Sequence, residues 1–178
     1  MTAHLLLICG SLRAGSVNAA VLRTAATLAP ADVTTSIYDG LATLPYFDPD
    51  ADHDPLPPTV ALLRAAIAAA GAVLFCTPEY AGALPGSFKN LLDWTVGGEE
   101  MYRKPVAWIN ASTAPSGAVN AHASLRTVLG YLSTEIVEAA CVAIPVPRAS
   151  IGSDGLIGDD TIREEIAAAV ATLANHVG

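Results

Sequence analysis

Two stretches, HLLLIC at 4–9 and AVLFCT at 72–77, are apolar almost from end to end. A strand with one wetted face alternates in polarity, so a short unbroken apolar run reads as a strand covered on both faces, as in the middle of a parallel sheet. Parallel neighbours cannot be joined by a tight hairpin and need a crossover, usually a helix. The chain supplies such segments. SVNAAVLRTAATLA (16–29) sets Val17, Ala20, Val21, Ala25 and Leu28 at helical spacing and stops at Pro30. TVALLRAAIAAAG (59–71) reads as a helix closed by Gly71, and 84–95, 117–134 and 159–177 read as further helices. VTTSIYD (33–39), KPVAWINA (104–111) and IVEAACVAI (136–144) read as the remaining strands. Five strands alternating with five helices predict one α/β domain over 1–178, a parallel sheet with helices on both faces. GLATLPYFDPDADHDPLPP (40–58) is left as a long loop, and its length points to a function or an ordered flap.

In an open sheet of this kind ligands sit beyond the C-terminal ends of the strands, where the strand order reverses. Three loops matter there: GSLRAGSVN, PEYAGALPGS and STAPSG. The first leads into a helix, whose unpaired amides and positive dipole end welcome an anion. Ser11, Ser16 and Asn18 add side-chain donors, and Arg13 adds a permanent positive fork. Three phosphate motifs are excluded by spacing. A P-loop needs lysine where Ser16 stands, no G-x-G-x-x-G turn is present, and Cys9 lies too close to Arg13 for a phosphatase loop. A socket for one terminal phosphate, with no metal, is the expectation. An ordinary cap by Ser16 is the plain alternative, but the arginine and extra donors exceed what a cap needs. In the second loop Tyr80 offers a face for a planar ligand, while Glu79 is either a structural anchor or a ligand contact.

Composition narrows the partners. The net charge is −8, which argues against nucleic acid. No apolar run reaches the ~18 residues of a membrane span. MTAHLLLICGS lacks the basic head of a secretory signal, and three cysteines without C-x-x-C spacing read as buried thiols in a reducing cytoplasm. His4, His53, His122 and His176 are scattered; His53 between Asp52 and Asp54 is the nearest approach to a metal patch, and no metal is expected. Leu84, Phe88, Leu91, Leu92 and Thr95 share a core face. Trp94, Tyr102, Trp108 and Tyr131 are a weak hint of an interface between copies.

GSLRAGSVN followed by PEYAGALPGSFKNLLDW resembles the NADPH-dependent FMN reductase family, and the likeness extends through LPYFDPD (44–50) and LRTVLGYL (125–132). The resemblance implies a flavodoxin-like three-layer sandwich with strand order 2-1-3-4-5. It implies that FMN is held by Ser11, Arg13, Ser16, Val17 and Asn18 at its phosphate, by Pro78, Glu79, Tyr80, Ala81 and Gly82 along its ring, and by Ser112, Thr113, Ser116 and Gly117 from the other side. It implies a ping-pong cycle in which NADPH, or NADH as the alternative donor, reduces the flavin, and a quinone, azo compound, free flavin or similar small acceptor reoxidises it. No side chain need act as nucleophile or acid. A homodimer or tetramer is implied too. The family usually carries asparagine where this chain has Ala81; a backbone contact survives that change and a side-chain hydrogen bond does not. Two other readings stand beside the enzyme: a non-catalytic flavodoxin-type electron carrier, and a phosphate-ester binding domain without flavin.

Overall fold

The computed structural model describes residues 3–177. The central strands are β1 (Ala3–Cys9), β3 (Ala72–Cys76) and β4 (Pro105–Asn110), with β2 (Val33–Tyr38) on the other side of β1. All pair in parallel, in the order β2-β1-β3-β4, with Ile8 facing Tyr38 on one side and Phe75 on the other. The unbroken apolar runs do what their composition predicts. Leu5 and Leu7 enter one core and Leu6 and Ile8 the opposite one, as successive side chains of a strand must. The first core is closed by α1 (Val17–Leu28) and α5 (Asp160–Val177). The second is closed by α2 (Pro58–Ala69), α3 (Gly86–Asp93) and α4 (Val119–Tyr131). A fully covered leucine or phenylalanine in either core contributes about 2 kcal/mol relative to exposure. The predicted face Leu84, Phe88, Leu91, Leu92 and Thr95 is buried throughout.

Several element ends shift by one to three residues from the expectation, and two differences bear on the architecture. The fifth strand is split into β5 (Glu135–Ile136) and β6 (Val142–Ala143) by a 3-10 turn over Glu138–Ala140. Ile136 faces Val106 and Val142 faces Ile109, so six residues on the edge span three of β4. The interrupting Glu-Ala-Ala has no β-branched residue to hold it in a pleat, and Ala140 turns into the core instead. The second difference concerns Gly71. Helix α2 ends with Ala70 as its cap, and Gly71 donates its N–H to the His4 carbonyl at 2.8 Å, starting the β1–β3 ladder.

The 40–58 segment is an ordered flap. Asn90 accepts from the Phe47 amide at 2.7 Å, the Trp94 indole donates to the Pro45 carbonyl at 2.8 Å, and Phe47 meets Trp94 edge-on at 5.1 Å. Arg64 binds the Asp52 carboxylate at 2.5 Å and the Trp94 carbonyl at 2.9 Å. Trp94 and Trp108 are buried within the protomer, whereas Tyr102 and Tyr131 lie outside.

Candidate functional site at the C-terminal edge of the sheet

The loop after β1 is shaped by what it must avoid. The Gly10 amide continues the ladder to the Cys76 carbonyl at 2.9 Å, and a Cβ there would lie 2.2 Å from the Thr77 hydroxyl oxygen. Only glycine lets the chain leave β1 so close to the end of β3. The Ser16 amide then bonds back to the Arg13 carbonyl at 3.1 Å, with Gly15 at a φ of +64°, and α1 begins. Ser16 occupies the cap position but its side chain caps nothing, and the first turn holds no acidic residue. The leading amides of α1 are therefore without a side-chain partner. Arg13, three residues before the cap, is exposed, and its guanidinium has no hydrogen bond or ion pair among the described residues. The Ser11 hydroxyl accepts from the Arg13 amide at 3.3 Å. Asn18 is held from below: its Oδ1 accepts the Cys76 thiol at 3.2 Å, and burial raises that thiol's pKa so that it stays a donor. Cys9 and Cys141 are also free thiols raised by burial, Cys141 to about 11.

The second loop is a tight hairpin. Tyr80 and Ala83 exchange two backbone hydrogen bonds, at 3.0 and 3.1 Å, across Ala81 and Gly82. Both central residues have positive φ, +51° and +72°, which defines a type I′ turn. Glycine suits the second position, but Ala81 adopts a left-handed conformation that its Cβ disfavours. Glu79 Oε2 accepts the Ala121 amide at 2.9 Å, so its carboxylate caps α4 from another loop. The choice left open by the sequence, anchor or ligand contact, now has a structural half that is filled.

The third loop hangs on Asn110, at the end of β4. Asn110 Nδ2 donates to the Gly117 carbonyl at 2.6 Å, and its Oδ1 accepts the Ser112 amide at 3.1 Å, so one side chain ties both ends. Gly117 and Ala118 follow in left-handed conformations, and His122 bonds back to the Ala118 carbonyl at 2.9 Å.

These loops enclose a cavity of about 340 Å³. Of the expected residues it brings together Val17, Asn18, Pro78, Glu79, Ser112, Thr113 and Ser116. Ser16 instead lines an adjoining cavity of about 260 Å³ with Gly15, Arg23 and Arg148. Ser11, Arg13, Tyr80, Ala81, Gly82 and Gly117 belong to neither wall, and Tyr80 stands half exposed. Sequence reasoning passed over Thr77, Asn110 and Arg148. A polar residue closing an otherwise apolar strand was the available signal for the first two; for Arg148 there was none, since it lies in the connection between β6 and α5, outside every motif read from the sequence. A larger concavity of about 760 Å³, lined by Val96, Tyr102, Val128, Tyr131 and Leu132, lies between α4 and the segment after α3. It contains no helix N-terminus and none of the expected residues, so it is separate from the loop site.

A parallel sheet of order 2-1-3-4-5 with a cleft at its switch point defines a flavodoxin-like protein. The NADPH-dependent FMN reductase family model matches residues 3–147. The chain is 34% identical over 161 residues to the NAD(P)H-dependent FMN reductase of Pseudomonas aeruginosa, covering 89% of this chain and 86% of that one. It is 33% identical to the quinone reductase of Escherichia coli, over 72% and 70%. In structure it is similar to the flavoenzyme NAD(P)H:(acceptor) oxidoreductase of Paracoccus denitrificans, with a TM-score of 0.83, 27% identity and 98% of each chain covered. The chain belongs to the NADPH-dependent FMN reductase family and is an oxidoreductase.

Proposed function

We propose that the protein is an FMN-dependent NAD(P)H oxidoreductase whose first loop holds the flavin phosphate. The uncapped N-terminus of α1 beside the unpartnered Arg13 carries this reading. It is a donor set suited to a dianion, with no acidic residue in the first turn to oppose it. Ser11, Arg13, Ser16, the Val17 amide and Asn18 would hold the phosphate. The hairpin Pro78–Gly82 and the loop Ser112–Gly117 would flank the ring. Bound there, FMN would supply the redox chemistry between NADPH or NADH and a quinone or similar acceptor, in a ping-pong order. The chain's own residues bind and orient. Glu79 and Asn110 fix the second and third loops against each other through α4, so the walls of the cleft keep their spacing.

The apolar concavity with exposed Tyr102 (64%) and Tyr131 (88%) is proposed as the face covered by a second copy, giving a homodimer or tetramer. Among the described residues no helix is long and apolar enough to cross a membrane, and three free thiols suit a reducing cytoplasm.

Purified protein tests the reading. Flavin absorbance in the visible spectrum, with steady NADPH or NADH consumption when a quinone is added, is the expected result. A colourless protein that binds no added FMN contradicts it, and a yellow protein that oxidises NAD(P)H for one turnover only points to a carrier.

A further inference from the structure

The family match ends at residue 147, and the next residue lines the cleft. Arg148 begins a 3-10 turn after β6, and its Nη2 donates to the Gly15 carbonyl at 2.8 Å. It lines both the cleft, with Asn18 and Ser112, and the adjoining cavity, with Ser16 and Arg23. Arg148 makes no ion pair among the described residues, although the chain carries 17 acidic residues against 9 basic ones. One carbonyl uses one of the five N–H donors of a guanidinium and leaves the others available.

We infer that Arg148 is a second phosphate-binding cation, which tethers the first loop through Gly15 and presents its remaining donors to the anion at the start of α1. This rests on the reading of that helix end as the phosphate site. The geometry explains why an exposed arginine engages a carbonyl. The bond to Gly15 holds the guanidinium at the mouth of the loop, so that little of its rotamer freedom is left to lose when an anion arrives. It also engages the Gly15 carbonyl, whose partial negative charge would oppose a nearby anion. A terminal phosphate monoester is the ligand class this fits.

Three variants of the full chain, stripped of flavin and titrated with FMN and with riboflavin, separate charge from tether. Arg148→Gln keeps an N–H donor for Gly15 and removes the charge; it should weaken FMN about tenfold and leave riboflavin within about twofold. Arg148→Met, which removes both, should weaken FMN at least as much. Arg148→Lys should restore most of the FMN affinity. The loss of FMN affinity with added NaCl should be shallower in Arg148→Gln than in wild type, because one charge fewer faces the phosphate. Equal losses for FMN and riboflavin, or no loss for either, overturn the inference. Arg13→Ala in the same titration keeps the two ideas apart. If it lowers FMN affinity selectively while Arg148→Gln does not, the role of Arg148 fails alone. If wild type does not distinguish FMN from riboflavin, the phosphate site itself fails.

Discussion

Helices α1 and α4 both start at the edge of the sheet where the cleft opens, and neither carries an acidic residue in its first turn or a cap from its own N-cap side chain. They differ in what meets them. The α4 end is met by the Glu79 carboxylate, reaching across from the second loop to the Ala121 amide. Among the described residues no carboxylate caps the α1 end; Arg23 and Arg148 line the cavity beside Ser16, and Arg13 lies exposed in the loop that leads into the helix. A helix dipole is the same physical object in both places, worth up to about 1 kcal/mol to a nearby anion. The chain satisfies one end internally and leaves the other without a side-chain cap, and that contrast supports the proposal that the flavin phosphate binds at α1.

Mutations should break this contrast unequally. The largest expected effect is at the open end: Arg13→Ala should cost FMN about 2 kcal/mol of binding and barely change riboflavin, read by flavin fluorescence titration. Glu79→Ala, at the closed end, should lower unfolding stability by about 1 kcal/mol in urea and weaken FMN and riboflavin alike. A selective loss of FMN there would mean that both helix ends serve the phosphate. Ala81→Asn should stabilise the fold by about 0.5 kcal/mol, because asparagine tolerates the left-handed first position of a type I′ turn. The family's usual asparagine then has a backbone reason, and a gain in flavin affinity without a gain in stability would contradict it.

The smallest effect is electrostatic and belongs to α4. Burial pushes the His122 pKa below its ordinary 6.5, and its ring sits in the first turn, where a positive charge opposes the dipole. Below pH 6.5 the unfolded chain takes up this proton more readily than the folded one, so stability falls as pH drops from 6.5 through the depressed folded value. His122→Asn should flatten that acid-side slope, measured as urea midpoints across the range.

Much of this was legible in the residues. Continuous apolar runs marked β1 and β3, and the Gly10, Arg13 and Ser16 loop marked the turn that leads into an uncapped helix, because strand burial and helix-end chemistry are local properties. The split of the fifth strand was not legible, since Glu138–Ala140 departs from the sheet only where Ala140 finds the α5 side of the core. Glu79 could be seen to need a partner, but not that the partner was an amide 42 residues further on. Arg148 lay beyond any local signal, because its meaning comes from a bond to Gly15 across 133 residues.

The most direct measurement is the pair of dissociation constants of flavin-free protein for FMN and for riboflavin at low salt. A terminal phosphate seated on α1 requires FMN to bind at least about a hundredfold more tightly. Equal affinities would show that the open helix end holds no phosphate and that the contrast with α4 has no functional meaning.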